Sequence, residues 1–186
     1  MTGPHASGGD ATRAGLTAVV PFMAPGMTER ALQIEIEAEF FRHGADTVAY
    51  DSIIASGPNA AVLHHLPTQR PLRAGELVLI DAGAECRGYD CDVTRTYPVS
   101  GDFSAEQADV YALVLQAQRA AIGRCCAGVE YRDIHLAAAL DLAQGLQRGV
   151  DGRDSEGVNV TGRQDMQAMT RSGYEQSRTH VFTNTL

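Results

Sequence analysis

Asp81 and Asp92 are the residues whose type and spacing could do chemistry. Asp81 closes the unbroken aliphatic run Leu77-Val-Leu-Ile80, and Asp92 opens the stretch Asp-Val-Thr-Arg-Thr-Tyr-Pro-Val99. Two carboxylates at the end of an apolar strand pair repel each other and are tolerated there only with something cationic to compensate. No lysine lies between them, and paired carboxylates suit a hard divalent ion such as Mn²⁺. A plainer reading stands beside it: both aspartates are solvated turn residues, since short motifs match by chance.

The element that would position them is a hairpin. Arg87-Gly88 sits where a tight turn would reverse the chain. Opposed residues in an antiparallel hairpin have numbers with a constant sum. A two-residue turn at Arg87-Gly88 makes that sum odd, so Asp81 and Asp92 fall on one face, opposite or one diagonal step apart, within about 5–8 Å. Pro98 should end the second strand.

Helices and strands should surround this ribbon. Ala14, Leu16, Val19, Val20 and Met23 predict a helix over 11–24 that Pro21 kinks or shortens. The Gly-, Ser- and Pro-rich residues 1–10 before it read as a flexible start. Thr28 is an N-cap candidate for a second helix over 29–43, its apolar side Ala31, Ile34, Ala38 and Phe41, closed by Gly44. Glu35, Glu37 and Glu39 form its solvated side. A strand is expected over 47–55, a turn at Ser56-Gly-Pro-Asn59, and a return toward the core over 61–64. Ser104 with Gln107 fits a capping box for a third helix over 106–122, with Val110, Leu113, Val114, Ala117 and Ala121 on one side. A fourth helix is expected over 133–147.

Composition narrows the function classes. The chain has 186 residues, which suggests one domain, and is 44% hydrophobic and 20% charged, as soluble globular proteins are. A net charge of −8 argues against a nucleic-acid or anionic-membrane partner. No run approaches the roughly 20 apolar residues of a membrane span. The start lacks a basic-then-apolar signal pattern, so a cytoplasmic location is expected. Cys86, Cys91, Cys125 and Cys126 lack paired Cys-x-x-Cys spacing, so they are expected to be small buried thiols rather than zinc ligands.

Leu-Ile-Asp81-Ala-Gly followed by Asp92-Val-Thr-Arg-Thr-Tyr-Pro-Val resembles the pita-bread metallopeptidases of the aminopeptidase P and Xaa-Pro dipeptidase type. Gly57-Pro-Asn-Ala-Ala-Val-Leu-His64 is similar to that family's Gly-x-Asn-x-x-x-Leu-His segment. His65 departs from the pattern, since family members often have Tyr there. The resemblance implies an α+β pita-bread fold in which each half carries helices outside and curved antiparallel strands inside. Two helix pairs of similar layout, one around Gly26 and one around Gly128, agree with such a repeat. The resemblance also implies a site for two Mn²⁺ ions. Asp81 would chelate one ion, Asp92 would bridge both, and His64 would be catalytic at the substrate, a peptide with proline at the second position. A homodimer is possible.

The first half of such a fold is complete here and the second is not. The family's remaining ligands are a histidine in a His-Gly-x-Gly-His context and two glutamates. Residues 151–186 hold none of those contexts and read as a polar loop or disordered tail, with His180, Glu156 and Glu175 in polar surroundings. The resemblance still implies a dinuclear Xaa-Pro peptidase, of whose site only Asp81, Asp92 and His64 map onto this chain. The reading from a different class is a pita-bread module without catalysis that binds peptides or proteins.

Overall fold

The computed structural model describes residues 7–154, with backbone alone for 150–154. The first six residues and residues 155–186 of the expected tail lie outside that span, while residues 151–154, expected to be loop, continue a helix. The described residues fall into two compact units, one ending at Ser104 and the other beginning at Ala105.

In the first unit two helices cover two small antiparallel sheets. Helix α1 (Gly8–Val19) begins three residues earlier than expected, because the Ser7 side chain caps it by accepting from Asp10 N–H. Its end is earlier too. Pro21 cannot continue an α-helix, and Val20–Phe22 form a 3₁₀ turn instead. Helix α2 (Glu29–Arg42) starts where expected, with Thr28 Oγ1 accepting from Ala31 N–H at 3.1 Å.

The buried side of α2 differs from the expected one. Ile34 and Phe41 are half exposed, whereas Glu29, Leu32, Gln33, Ile36 and Phe40 are buried. Apolar residues lie on both candidate stripes, so a 3.6-residue period fits either. Contact with α1 selects the stripe that is buried. Gly15 lies so close to α2 that a Cβ there would sit 2.6 Å from the Phe40 ring.

The expected strand over 47–55 is two strands in two sheets. Strand β1 (Thr47–Val48) pairs with β4 (Ala84–Cys86), which pairs with β5 (Tyr89–Asp90). Strand β2 (Ile53–Ser56) pairs with β3 (Leu77–Ala82), which pairs with β6 (Val93–Pro98). Strand β6 ends at Pro98 as expected, and β3 runs past Ile80 to Ala82. Along β3, Val78, Ile80 and Ala82 turn into the core, where they meet Leu16, Val19, Leu32, Ile36 and Phe40. The intervening Leu77, Leu79 and Asp81 are half-buried on the opposite face. Thr12, fully buried on α1, accepts from Ala84 N–H at 2.9 Å and donates to Gly8 O at 2.7 Å, tying α1 to β4.

In the second unit, helices α3 (Ala105–Gly123) and α4 (Tyr131–Asp154) are each longer than the expected spans. Of the stripe expected on α3, Ala117 and Ala121 are buried, while Val110 is nearly half exposed. Cys125 and Cys126 between the helices are exposed and Cys91 is half-buried, so only Cys86 matches the expectation of buried thiols.

Candidate metal centre

Strands β3 to β6 form one ribbon. Its register runs from Leu77↔Pro98 through Asp81↔Thr94, and at the tip through Glu85↔Asp90 to Cys86↔Tyr89. Arg87 and Gly88 both have positive φ, 58° and 78°, as a two-residue turn of the primed kind requires. The odd sum holds over the whole ribbon. Cys91 N–H donates to Ala84 O at 3.0 Å, which puts Gly83 opposite Asp92. Asp81 and Asp92 are therefore one diagonal step apart on the same face.

Between β3 and β4 the ribbon passes from one sheet into the other, at Gly83. No side chain fits there, since a Cβ on Gly83 would lie 1.6 Å from Cys91 O and 3.1 Å from the Tyr50 ring. Tyr50 stands at the corresponding break between β1 and β2, where Ala49 N–H donates to Gly83 O at 2.9 Å. Its hydroxyl lies 2.6 Å from Asp81 Oδ1 and 3.0 Å from Asp92 Oδ1. One phenol proton thus sits between two carboxylates. Sequence reasoning placed Tyr50 only in a strand. The broken strand, which turns this ring toward the ribbon, is visible only in three dimensions.

Electrostatics keeps that proton in place. Burial pushes the Tyr50 phenol far above its ordinary pKa, and the hydrogen bond to Asp81 with the charges of Asp81 and Asp92 pushes it further. Across from Asp81, the buried Thr94 hydroxyl has no hydrogen-bond partner among the described residues. Two convergent carboxylates, a shared proton and an unsatisfied hydroxyl fit a hard cation with oxygen ligands. Among the described residues no group of three or more His, Cys, Asp or Glu could hold a metal.

His64 lies elsewhere, on the loop that follows β2. Gly57–Ala61 form a 3₁₀ turn there, and Val62, Leu63 and His64 are exposed instead of returning to the core. His64 has φ 52°, a left-handed backbone uncommon outside glycine. The neighbouring His65 contrasts with it, a part-buried residue whose Nε2 lies 3.0 Å from Glu29 Oε2. Glu29 is fully buried, and sequence reasoning missed it because a charged first-turn residue normally faces water. Its Oε1 accepts from Ser56 N–H, Ser56 Oγ and Asn59 Nδ2, and its Oε2 from Thr68 N–H and Oγ1. Burial alone would raise its pKa. The hydrogen bonds from His65, Ser56, Asn59 and Thr68 outweigh burial and lower it from 4.5 to about 2. The carboxylate is therefore ionised and accepts only, so the proton of the His65 contact is on Nε2.

Residues 6–175 match metallopeptidase family M24. The Xaa-Pro aminopeptidase of Escherichia coli is 44% identical over 108 residues, which are 58% of this chain and 24% of that protein. Xaa-Pro aminopeptidase 2 of Streptomyces coelicolor is 41% identical over 143 residues, 74% of this chain and 30% of the relative. Among solved structures, Pseudomonas aeruginosa aminopeptidase PepP superposes with a TM-score of 0.70 at 40% identity, over 74% of this chain and 31% of its own. A variant of Escherichia coli aminopeptidase P gives 0.73 at 35%, over 76% of this chain and 32% of its own. The chain thus spans about a quarter to a third of the length of the relatives it matches. The match to most of its length and the agreement in fold make this chain a member of metallopeptidase family M24, with an α+β fold of the pita-bread type.

Proposed function

We propose that this chain carries the aspartate half of the metal centre of an Xaa-Pro peptidase. The observation that supports it is the Tyr50 hydroxyl within hydrogen-bond distance of both Asp81 and Asp92. Carboxylates that converge on one hydroxyl would also converge on a cation. Asp81 would chelate one divalent ion and Asp92 would bridge it to a second, with Mn²⁺ the ion that hard oxygen ligands suit. When bound, such an ion supplies Lewis acidity to a peptide carbonyl and lowers the pKa of a water.

The chain's own residues contribute around that chemistry. Tyr50 keeps its proton and orients both carboxylates. Gly83 leaves room for the tyrosine ring. His64, exposed on its own loop, would donate or accept a proton at the substrate peptide. A peptide with proline at its second position is the substrate class that the named relatives suggest.

Hydrolysis of an Xaa-Pro dipeptide and an Xaa-Pro-containing tripeptide by the purified chain with Mn²⁺ tests this reading, with Asp81→Asn assayed in parallel. Hydrolysis that disappears in the variant is the expected result. A folded chain that binds no Mn²⁺ and cleaves neither peptide would leave a catalytically inactive peptide-binding module as the reading instead.

A further inference from the structure

The loop that presents His64 is organised around a carboxylate outside the metal centre. On the reading of His64 as the residue that meets substrate, we propose that Glu29 is its positioning residue. The buried carboxylate clasps both ends of the 57–71 loop and so fixes the backbone from which His64 projects.

Glu29 reaches both ends of that loop at once. Its Oε1 holds the entrance, at 2.9 Å from Ser56 N, 2.8 Å from Ser56 Oγ and 3.0 Å from Asn59 Nδ2. Its Oε2 holds the exit, at 3.0 Å from His65 Nε2, 3.1 Å from Thr68 N and 2.8 Å from Thr68 Oγ1. The exit is also sewn to the first turn of α2 by its backbone. Glu29 N–H donates to Arg70 O at 3.1 Å and Arg30 N–H to Thr68 O at 3.0 Å. Arg70 adds a brace, donating to Ser56 Oγ at 2.7 Å and to both Glu76 carboxylate oxygens at 2.7 and 2.8 Å.

Between entrance and exit the loop has little core packing. Leu63 is 72% exposed, and Val62 and Leu66 are more than half exposed. Apolar burial therefore cannot set the conformation of this stretch. His64 nevertheless holds φ 52°, a strained value for a residue with a side chain. Such backbone persists only where its surroundings over-determine it. The residue that follows, His65, is pinned through Nε2 to Glu29. Glu29 also accepts from Asn59 on the other side, so the segment that holds His64 is suspended between two hydrogen bonds to one carboxylate.

A purely structural role would stabilise the whole unit; a positioning role acts on this loop. The test compares the full chain with Glu29→Gln and Thr68→Ala. Readouts are amide hydrogen exchange and the His64 imidazole C–H resonance. The carboxamide keeps the shape but sets an N–H₂ group against donors at one end of the loop. Exchange over 60–68 should rise at least about tenfold in Glu29→Gln while 77–82 keeps its protection, and the His64 resonance should move. Thr68→Ala should do the same to a smaller degree, and it decides the matter if Glu29→Gln does not fold. Unchanged exchange over 60–68, or an equal rise across β3, would overturn the assignment.

Xaa-Pro hydrolysis separates this from the role given to His64. If both stand, kcat falls in Glu29→Gln with the Mn²⁺ midpoint unchanged. If His64→Ala leaves hydrolysis intact while Glu29→Gln still loosens the loop, the role of His64 fails and the clasp stands. If hydrolysis needs His64 but Glu29→Gln exchanges like the native chain, the clasp fails.

Discussion

Gly83 and Cys91 touch backbone to backbone: a Cβ on Gly83 would sit 1.6 Å from the Cys91 carbonyl oxygen. The contact lies at the point where the ribbon leaves one sheet for the other, between Asp81 and its diagonal neighbour Asp92. Neither atom is the end of a flexible side chain, so only movement of the ribbon relieves the clash.

Gly83→Ala should therefore destabilise the chain by about 3 kcal/mol or more, at the upper end of overpacking costs. It should also part the two carboxylates and remove any Mn²⁺-induced stabilisation. Urea unfolding with and without Mn²⁺ checks both effects. A variant as stable as the native chain would mean that the close approach is absent in solution.

Tyr50→Phe removes the proton between two carboxylates and keeps the ring. Without metal the variant should lose roughly 1–2 kcal/mol, the scale of a hydrogen bond to a charged group plus uncompensated repulsion. Added Mn²⁺ should then raise the melting temperature more than in the native chain, because only a cation can offset the repulsion. An equal or smaller Mn²⁺ effect would show that the tyrosine does not act between Asp81 and Asp92.

Asp81→Asn and Asp92→Asn should each abolish the Mn²⁺-dependent rise in melting temperature, whereas His64→Ala should leave it largely intact. Calorimetric scans at matched Mn²⁺ concentrations read this directly. Retention of the full rise in either asparagine variant would remove that residue from the ligand set. Loss of the rise in His64→Ala would contradict a role at the substrate alone.

Acid should weaken the loop through Glu29. Its pKa is lowered from 4.5 to about 2 on folding, so the folded state favours the ionised form. The sign follows from linkage: the stabilisation is fully present above pH 4.5 and fades as pH falls through about 2. Glu29→Gln cannot titrate there. The gap in melting temperature between native chain and variant should be constant from pH 7 to 5 and close as the pH is lowered from 4.5 toward 2. A gap unchanged at pH 2.5 would show that this carboxylate is not held in its charged form.

Much of the site was legible in local pattern. The turn at Arg87-Gly88, the shared face of Asp81 and Asp92 and the Thr28 cap depend on residues near in sequence, and the structure has them all. The stripe on α2 was misread because Leu32, Ile34, Ile36, Phe40 and Phe41 satisfy more than one helical face. The choice among them comes from how closely Gly15 lets α1 approach Phe40. The strand over 47–55 was misread because a β-favouring composition does not record that Tyr50 turns away between two sheets.

What the sequence determined by itself is the hairpin and its paired aspartates, since strand alternation has a period of two and a turn of fixed length sets register. What only the tertiary structure decided is how those aspartates and the loop of His64 are held. Tyr50 reaches Asp81 and Asp92 across 31 and 42 positions of chain, and Glu29 reaches His65 across 36. Such pairs follow no sequence period. They form because packing of helices on sheets brings distant segments together, and the fully buried Glu29, cut off from water, must find its partners inside the protein.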